Sequence, residues 1–454
     1  MCVKVLEDII RVQSVLGYIK ERKIMMDKLT NFLENKLSPM FAKFADNKYL
    51  QAISGSFFRT LPVIIIGSVF TLIANFPIKV YINFLKSVGI YEVLNSVGNA
   101  TTNSISLFTA FFAAFCLADK FKVKGKSACG LLGLVSFLIL TPMSVTVEGV
   151  EKPISAISTT YFGSNSLFVA LIVGLVIGRI YIFVTEKGWE IKMPAGVPPM
   201  VANSFSSIIA GVITITFTVV VHAIFVATPY GNIHSFITEM VQAPMLKLGN
   251  SFWFFVGLYM FMNLCWFFGI HGAAVYAAVQ PIVVGINLQN LEAFQVGAQL
   301  PNMYANWVLF LKIGGLGTTV GLCIFMAFRA RSNRYKSLGR MALIPSLFNI
   351  NEPLCFGMPL MLNPMMFLPL VLNPLVTGTI AYFAMSSGLV GYTTGASLPW
   401  TTPPLINSFL QGGVGVMLLQ LVCLLVATAM YIPFFKVLDK KAVEEESKIE
   451  AGVE

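Results

Sequence analysis

Phe348-Asn349-Ile350-Asn351-Glu352-Pro353-Leu354-Cys355-Phe356-Gly357 is the stretch on which the reading of this chain turns. Glu352 is the single acid or base between Arg340 and Lys436, in sequence apolar enough for a lipid bilayer. A charged side chain at mid-bilayer costs about 2.5–3.5 kcal/mol on insertion scales, so such a residue usually faces a water-filled cavity, a substrate or a partner. Glu352 is therefore read as the centre of a transport site for a polar solute.

The composition around it fixes the class. The chain has 454 residues, 56% hydrophobic and 11% charged, with mean hydropathy +0.77. Soluble domains carry about 25% charged residues, so less than half the usual supply is present. The fold class is an all-α membrane protein. The net charge of +10 is no nucleic-acid footprint, because the basic residues sit in short loops between apolar runs. The seven cysteines are scattered without C-x-x-C spacing and the histidines are three (222, 234, 271). Neither a metal, a disulfide framework nor another cofactor is expected. The N-terminus lacks the apolar core and cleavage site of a secretory signal. Two starts stay open, Met1 or Met25-Met26, the second leaving residues 1–24 as an upstream extension.

Apolar runs near the ~20 residues of a spanning helix occur at 55–75, 101–119, 127–147, 165–185, 202–227, 250–270, 273–290, 305–328, 364–387 and 412–435. That makes about ten transmembrane helices. Basic clusters at Lys120–Lys126, Arg179–Lys192, Arg329–Arg340 and Lys436–Lys441 each follow an even-numbered run. Ten spans with both termini cytoplasmic in a cell membrane satisfy that parity. Residues 76–98 and 186–200 read as amphipathic interfacial helices. The stretches 341–363 and 388–411 are apolar but broken: nine of the 22 prolines lie between 345 and 404. Proline interrupts helix hydrogen bonding, and freed backbone groups at membrane depth must be met by protein or water. Both stretches read as re-entrant hairpins lining a cavity; surface loops with a hydrophobic bias are the plainer alternative. The expected division is 1–48 as an N-terminal interfacial segment, 49–240 and 241–436 as membrane halves, and 437–454 as a solvated cytoplasmic tail.

His271, in Gly269-Ile270-His271-Gly272, is the second outlier. An imidazole both donates and accepts hydrogen bonds and titrates near neutral pH, although a lone histidine in an apolar run also serves as packing. With Glu352 it makes a plausible base and hydroxyl-orienting pair. Trp400, in Pro399-Trp400-Thr401-Thr402-Pro403-Pro404, offers a face for the apolar side of a sugar ring, or an interfacial anchor. Asn351, Asn349, Asn250, Asn263 and Asn302 offer neutral hydrogen bonds or packing contacts. Arg59 and Lys312 lie near span ends and are expected to snorkel. Gly314-Gly315-x-Gly317 is expected to serve close helix packing. The Arg329–Arg340 loop reads as a topology anchor or as a landing site for an acidic or phosphorylated cytosolic partner.

The blocks Gly269–Gly272 and Asn349–Gly357, with Ala52-Ile53-Ser54-Gly55-Ser56-Phe57-Phe58-Arg59-Thr60-Leu61-Pro62, resemble the membrane-embedded IIC component of the bacterial sugar phosphotransferase system, in its lactose/cellobiose/diacetylchitobiose branch. The resemblance covers about residues 25–440. It implies ten spans with two re-entrant hairpins, a homodimer held by the N-terminal half, and a C-terminal half that moves the sugar like an elevator. It further implies import of a disaccharide whose C6 hydroxyl is phosphorylated by a phosphocysteine on a separate IIB protein. On this reading His271 and Glu352 are hydroxyl ligands near the transferred phosphate, with Trp400 as a further sugar contact; Asn351 and Asn250 are candidate sugar contacts on their own hydrogen-bonding chemistry. The alternative is a proton-coupled sugar or drug symporter with Glu352 as proton carrier. A receptor or scaffold with a structural Glu352 is a third reading.

Overall fold

The computed structural model describes residues 46–76, 78–145, 154–191, 194, 199–269, 272–358, 360–361 and 363–450. His271, the alternative start at Met25-Met26, the N-terminal segment through residue 45 and most of 192–198 lie outside them. Lys48–Glu454 forms one compact unit. Its described residues are mainly helical, and the strands among them are a two-residue antiparallel pairing of β1 (Ser144–Val145) with β2 (Ile154–Ser155).

The first half of this unit holds α1 (Lys48–Ala74), α2 (Lys79–Ser87), α3 (Ile90–Ala100), α4 (Ile105–Lys120), α5 (Lys126–Leu140), α6 (Leu167–Glu186) and α7 (Pro199–Val226). Small residues let the long helices approach. A Cβ on Gly133 of α5 would lie 2.8 Å from the Ala110 carbonyl oxygen, and one on Gly174 of α6 would lie 2.7 Å from the same atom. Ala110, Ala113 and Ala114 of α4 thus form a strip against which two glycines seat, the close packing that replaces hydrophobic driving force inside a membrane. Phe57, Ile64, Ile105, Leu167 and Leu171 complete that core. The 76–98 segment folds as α2 and α3, with apolar and polar residues on opposite faces, as expected.

The second half begins with α8 (Ile233–Ile237), which runs through a π-turn into α9 (Ala243–Gly249), bent by 70° against α10 (Phe252–Phe267). Then come α11 (Ala273–Gln295), α12 (Val308–Leu311), α13 (Val320–Arg329), α14 (Asn333–Leu347), α15 (Glu352–Gly357), α16 (Pro364–Ser386) and α17 (Pro404–Glu450). Every one of the ten apolar runs carries helix. Among the described residues six helices are long and apolar enough to cross a membrane, or seven with the bent pair. Three of the ten runs, the third, seventh and eighth, are not among these, and two of the three depart in shape. The third ends after 15 residues, about 22 Å of helix against a hydrocarbon core of about 30 Å. The eighth is broken after Leu311, because Gly314, Gly315, Gly317 and Thr318 all adopt positive φ, incompatible with a right-handed helix. The glycine cluster expected to serve close packing is that break.

The tail also departs from a solvated end. Helix α17 kinks at Gly413 (φ 70°, ψ −162°) and continues to Glu450. Asp439, 5% exposed, accepts hydrogen bonds from the amides of Arg331 and Ser332 (2.8 and 3.0 Å) and from the Ser332 hydroxyl (2.8 Å). Glu446 accepts from the amides of Asn333 and Arg334 (3.0 and 2.8 Å). Residues seven apart share a helix face, so two carboxylates of α17 cap the exposed amides at the start of α14.

Candidate functional site: two interlocked broken helices

The first proposed hairpin is α14, a turn through 348–351, and the short α15 that starts with Glu352. Asn349 sits in that turn at φ 64°, a conformation asparagine tolerates better than most residues. Its side chain reaches two other segments. Oδ1 accepts from the Gly314 amide at 3.0 Å, while Nδ2 donates to the carbonyls of Trp400 (2.8 Å) and Thr402 (3.0 Å). Asn351 is 3% exposed and donates to the Leu316 carbonyl and the Thr319 hydroxyl, both at 2.8 Å. Tyr431 of α17 donates to the Gly317 carbonyl at 2.7 Å. The 312–319 turn, the Glu352 turn and the Trp400 loop are thereby one hydrogen-bonded unit.

Within this unit Glu352 is partly exposed, yet its Oε2 is buried with no hydrogen-bond partner. A buried carboxylate oxygen without a donor is costly to maintain in a resting fold, and is suited to accepting from a ligand hydroxyl. Trp400 shows 62% of its surface, presenting a free ring face beside the unit. Lys312 does not snorkel from a span end. It is the half-buried residue that terminates α12, at the entrance to the 312–319 turn. Arg59 pairs instead with Asp119 at 3.5 Å.

His271 lies outside the described residues. Its neighbour Gly272 is buried against Leu316 of the same turn, where an added Cβ would meet Leu316 Cδ1 at 3.3 Å. Asn250 is exposed at the end of α9, in a recess of about 360 Å³ in which Asn165, Gln242, Gln289 and Asn302 take part but Glu352 and Trp400 do not. The amide of Asn263 is committed to the Leu370 carbonyl (3.0 Å). That of Asn302 goes to Gln289 Oε1 at 2.9 Å.

The second proposed hairpin has one helical arm, the start of α17; its other arm, 391–399, is non-helical backbone. Asparagines satisfy that arm. Asn290 donates to the Thr393 carbonyl (2.9 Å) and Asn306 to that of Ala396 (2.9 Å), while the Asn306 amide donates to Asn287 Oδ1 (2.8 Å). Gly395, at φ 75°, passes so close to Asn287 that a Cβ would lie 2.0 Å from its carbonyl oxygen. Irregular backbone survives at membrane depth only with such partners. Asn287, Asn290 and Asn306 were missed in the sequence; the signal was the i, i+3 amide pair on one face of α11.

All six described cysteines are buried, so none is offered for phosphoryl exchange. Among the described residues no cluster of three or more His, Cys, Asp or Glu side chains could hold a metal.

Comparison with known proteins agrees with this architecture. Residues 54–374 match the family described as Phosphotransferase system, EIIC. The cellobiose-specific EIIC component of a phosphotransferase system from Geobacillus stearothermophilus is 38% identical over 439 residues, 93% of this chain and 97% of that protein. The lichenan permease IIC component of Bacillus subtilis (strain 168) is 37% identical over 438 residues, 94% of this chain and 97% of that protein. The crystal structure of the transporter ChbC, the IIC component from the N,N'-diacetylchitobiose-specific phosphotransferase system, matches with a TM-score of 0.86 at 37% identity, covering 92% of this chain and 99% of that one. A family match over residues 54–374 and a fold shared over nearly the whole chain lead to one conclusion: the chain belongs to the EIIC family of the phosphotransferase system, membrane permeases for sugars.

Proposed function

We propose that this permease imports a β-linked disaccharide, diacetylchitobiose or cellobiose ahead of lactose, and presents its C6 hydroxyl to a phosphorylated IIB protein. The observation that carries the reading is the unpartnered, buried Oε2 of Glu352 inside the three-segment unit. Ionised, that carboxylate accepts hydrogen bonds from two sugar hydroxyls. Trp400 stacks on the apolar face of the ring, and His271 takes the C6 proton as the phosphoryl group arrives. Holding the hydroxyl in line with the incoming phosphorus does most of the work, because phosphoryl transfer passes through a loose transition state. Asn351 acts by fixing the Leu316–Thr319 turn rather than by touching sugar, since its amide nitrogen is already donated twice. Asn250 belongs to an outer entry recess. The specificities of relatives named for cellobiose, lichenan and diacetylchitobiose support the choice of a β-linked substrate.

The same reading has 49–240 as the half that forms a homodimer, 241–436 as the half that moves with the sugar, and both termini in the cytoplasm. Membership of a phosphotransferase family disfavours the proton-coupled symporter. One vesicle experiment separates the two. With labelled disaccharide outside and phosphorylated IIB inside, labelled sugar phosphate accumulates in the lumen. Uptake of unmodified sugar that collapses with the proton gradient, without phosphorylated product, would sink the proposal.

A further inference from the structure

Lys312 is the only acid or base between Glu292 and Arg329, as isolated on its side of the site as Glu352 is on the other. Three observations bring the two together. Lys312 ends α12 in a non-helical conformation (φ −143°, ψ 57°), at the entrance to the glycine turn. That turn is tied to the Glu352 turn by Asn349 at Gly314 and by Asn351 at Leu316 and Thr319. Both side chains are half-buried within that hydrogen-bonded unit.

They nevertheless stay apart. Among the described residues the ion pairs within 4 Å involve Arg59, Lys126, Arg179, Arg334 and Lys440, and Lys312 is not one of them. A neutral sugar explains the carboxylate, which accepts from hydroxyls. It does not explain an ammonium, which only donates and whose natural ligand is an oxyanion.

Resting on the import reading above, we infer that Lys312 binds the phosphoryl oxygens as the group passes to the sugar, and then holds the product phosphate. In the step itself the C6 oxygen attacks phosphorus, and the new O–P bond forms as the S–P bond of the IIB phosphocysteine breaks. The hydroxyl proton passes to His271, and the cysteine leaves as thiolate. The charge spread over the three phosphoryl oxygens faces the Lys312 ammonium, a fixed group placed where charge develops.

Lys312→Met and Lys312→Arg in the full chain, reconstituted in liposomes, test this with three readouts: disaccharide affinity, formation of labelled sugar phosphate from phosphorylated IIB, and affinity for the disaccharide 6-phosphate. Lys312→Met is expected to keep disaccharide affinity within about threefold and to lose about 100-fold in phosphorylation, the scale of one lost electrostatic donor. It also binds the 6-phosphate at least about tenfold more weakly, and Lys312→Arg recovers most of both losses because the charge is retained. Should Lys312→Met fail to fold, Lys312→Gln serves in its place. Equal losses of disaccharide and 6-phosphate affinity would overturn the proposal, as would near-normal phosphorylation by the neutral variant. Absence of sugar phosphate with the wild-type chain overturns the import reading and the role of Lys312 with it. A wild-type product together with an unimpaired neutral variant overturns Lys312 alone.

Discussion

Adding one methyl group at Gly315 should dismantle the site, whereas the same change at Gly388 should cost only a backbone penalty. Gly315 has φ 107°, outside even the left-handed well, and a Cβ there would stand 2.3 Å from Asn351 Cγ and 2.4 Å from its Oδ1. An alanine held in so sparse a region costs about 1–3 kcal/mol. Displacing Asn351 costs more, because it would release the Leu316 carbonyl and the Thr319 hydroxyl, at residues 6% and 0% exposed. Each buried group left unpaired costs about 1–3 kcal/mol, so Gly315→Ala should destabilise by about 4 kcal/mol. Gly388 also has positive φ (75°), but nothing lies within 4 Å of its added Cβ, which leaves only the left-handed penalty of about 1–2 kcal/mol. Thermal unfolding in detergent and equilibrium disaccharide binding check both variants. Coupling adds a sharper criterion: on top of Asn351→Ala, Gly315→Ala should cost only its backbone penalty of about 1–3 kcal/mol, because the clash is already gone. If Gly315→Ala behaves like Gly388→Ala, or if the two changes at the site simply add, the interlocked-turn account is wrong.

Three further changes probe other parts of the molecule. Glu352→Gln should leave the unfolding temperature unchanged, since the buried oxygen has no protein partner to lose, while disaccharide affinity falls by about tenfold or more, the worth of a charged hydrogen bond; wild-type affinity and phosphorylation would refute its role. Asp439→Ala removes the acceptor of three hydrogen bonds at the start of α14 and should cost about 2–4 kcal/mol, read as a lower melting temperature and faster proteolysis near Arg331. Unaltered melting and proteolysis would mean that the helical tail is dispensable. Gly174→Leu drives a side chain into the Ala110 carbonyl and should abolish folded protein in size-exclusion profiles, as overpacking of a close helix contact predicts; a normal monodisperse peak would argue against that contact.

Much of this molecule is written in local sequence. Apolar run length and charge depletion are enough to announce a helical membrane protein, and each apolar run does hold helix, because spanning a bilayer satisfies backbone polar groups only within the segment itself. The importance of Glu352 was equally legible, since one carboxylate amid 95 residues (341–435) otherwise free of acids and bases stands out without any structure. Family motifs at Asn349–Gly357 and at Gly269–Gly272 extended the reading to a sugar.

The surroundings of Glu352 were not legible, for a physical reason. Lys312 lies 40 positions away and reads as a span end, because its run is apolar enough for a continuous helix. Whether a glycine cluster packs a helix or breaks it depends on what waits to receive the broken backbone. Here Asn349, Asn351 and Tyr431 receive it from distant parts of the chain. Asp439 and Glu446 are similar: composition alone makes them a solvated end, and only the approach of α14 turns them into caps. The sequence by itself determined the class, the helices and the one anomalous carboxylate. Tertiary structure decided which breaks are stable and which turns meet there, since the hydrogen bonds that sustain a broken helix come from segments that only the fold brings near.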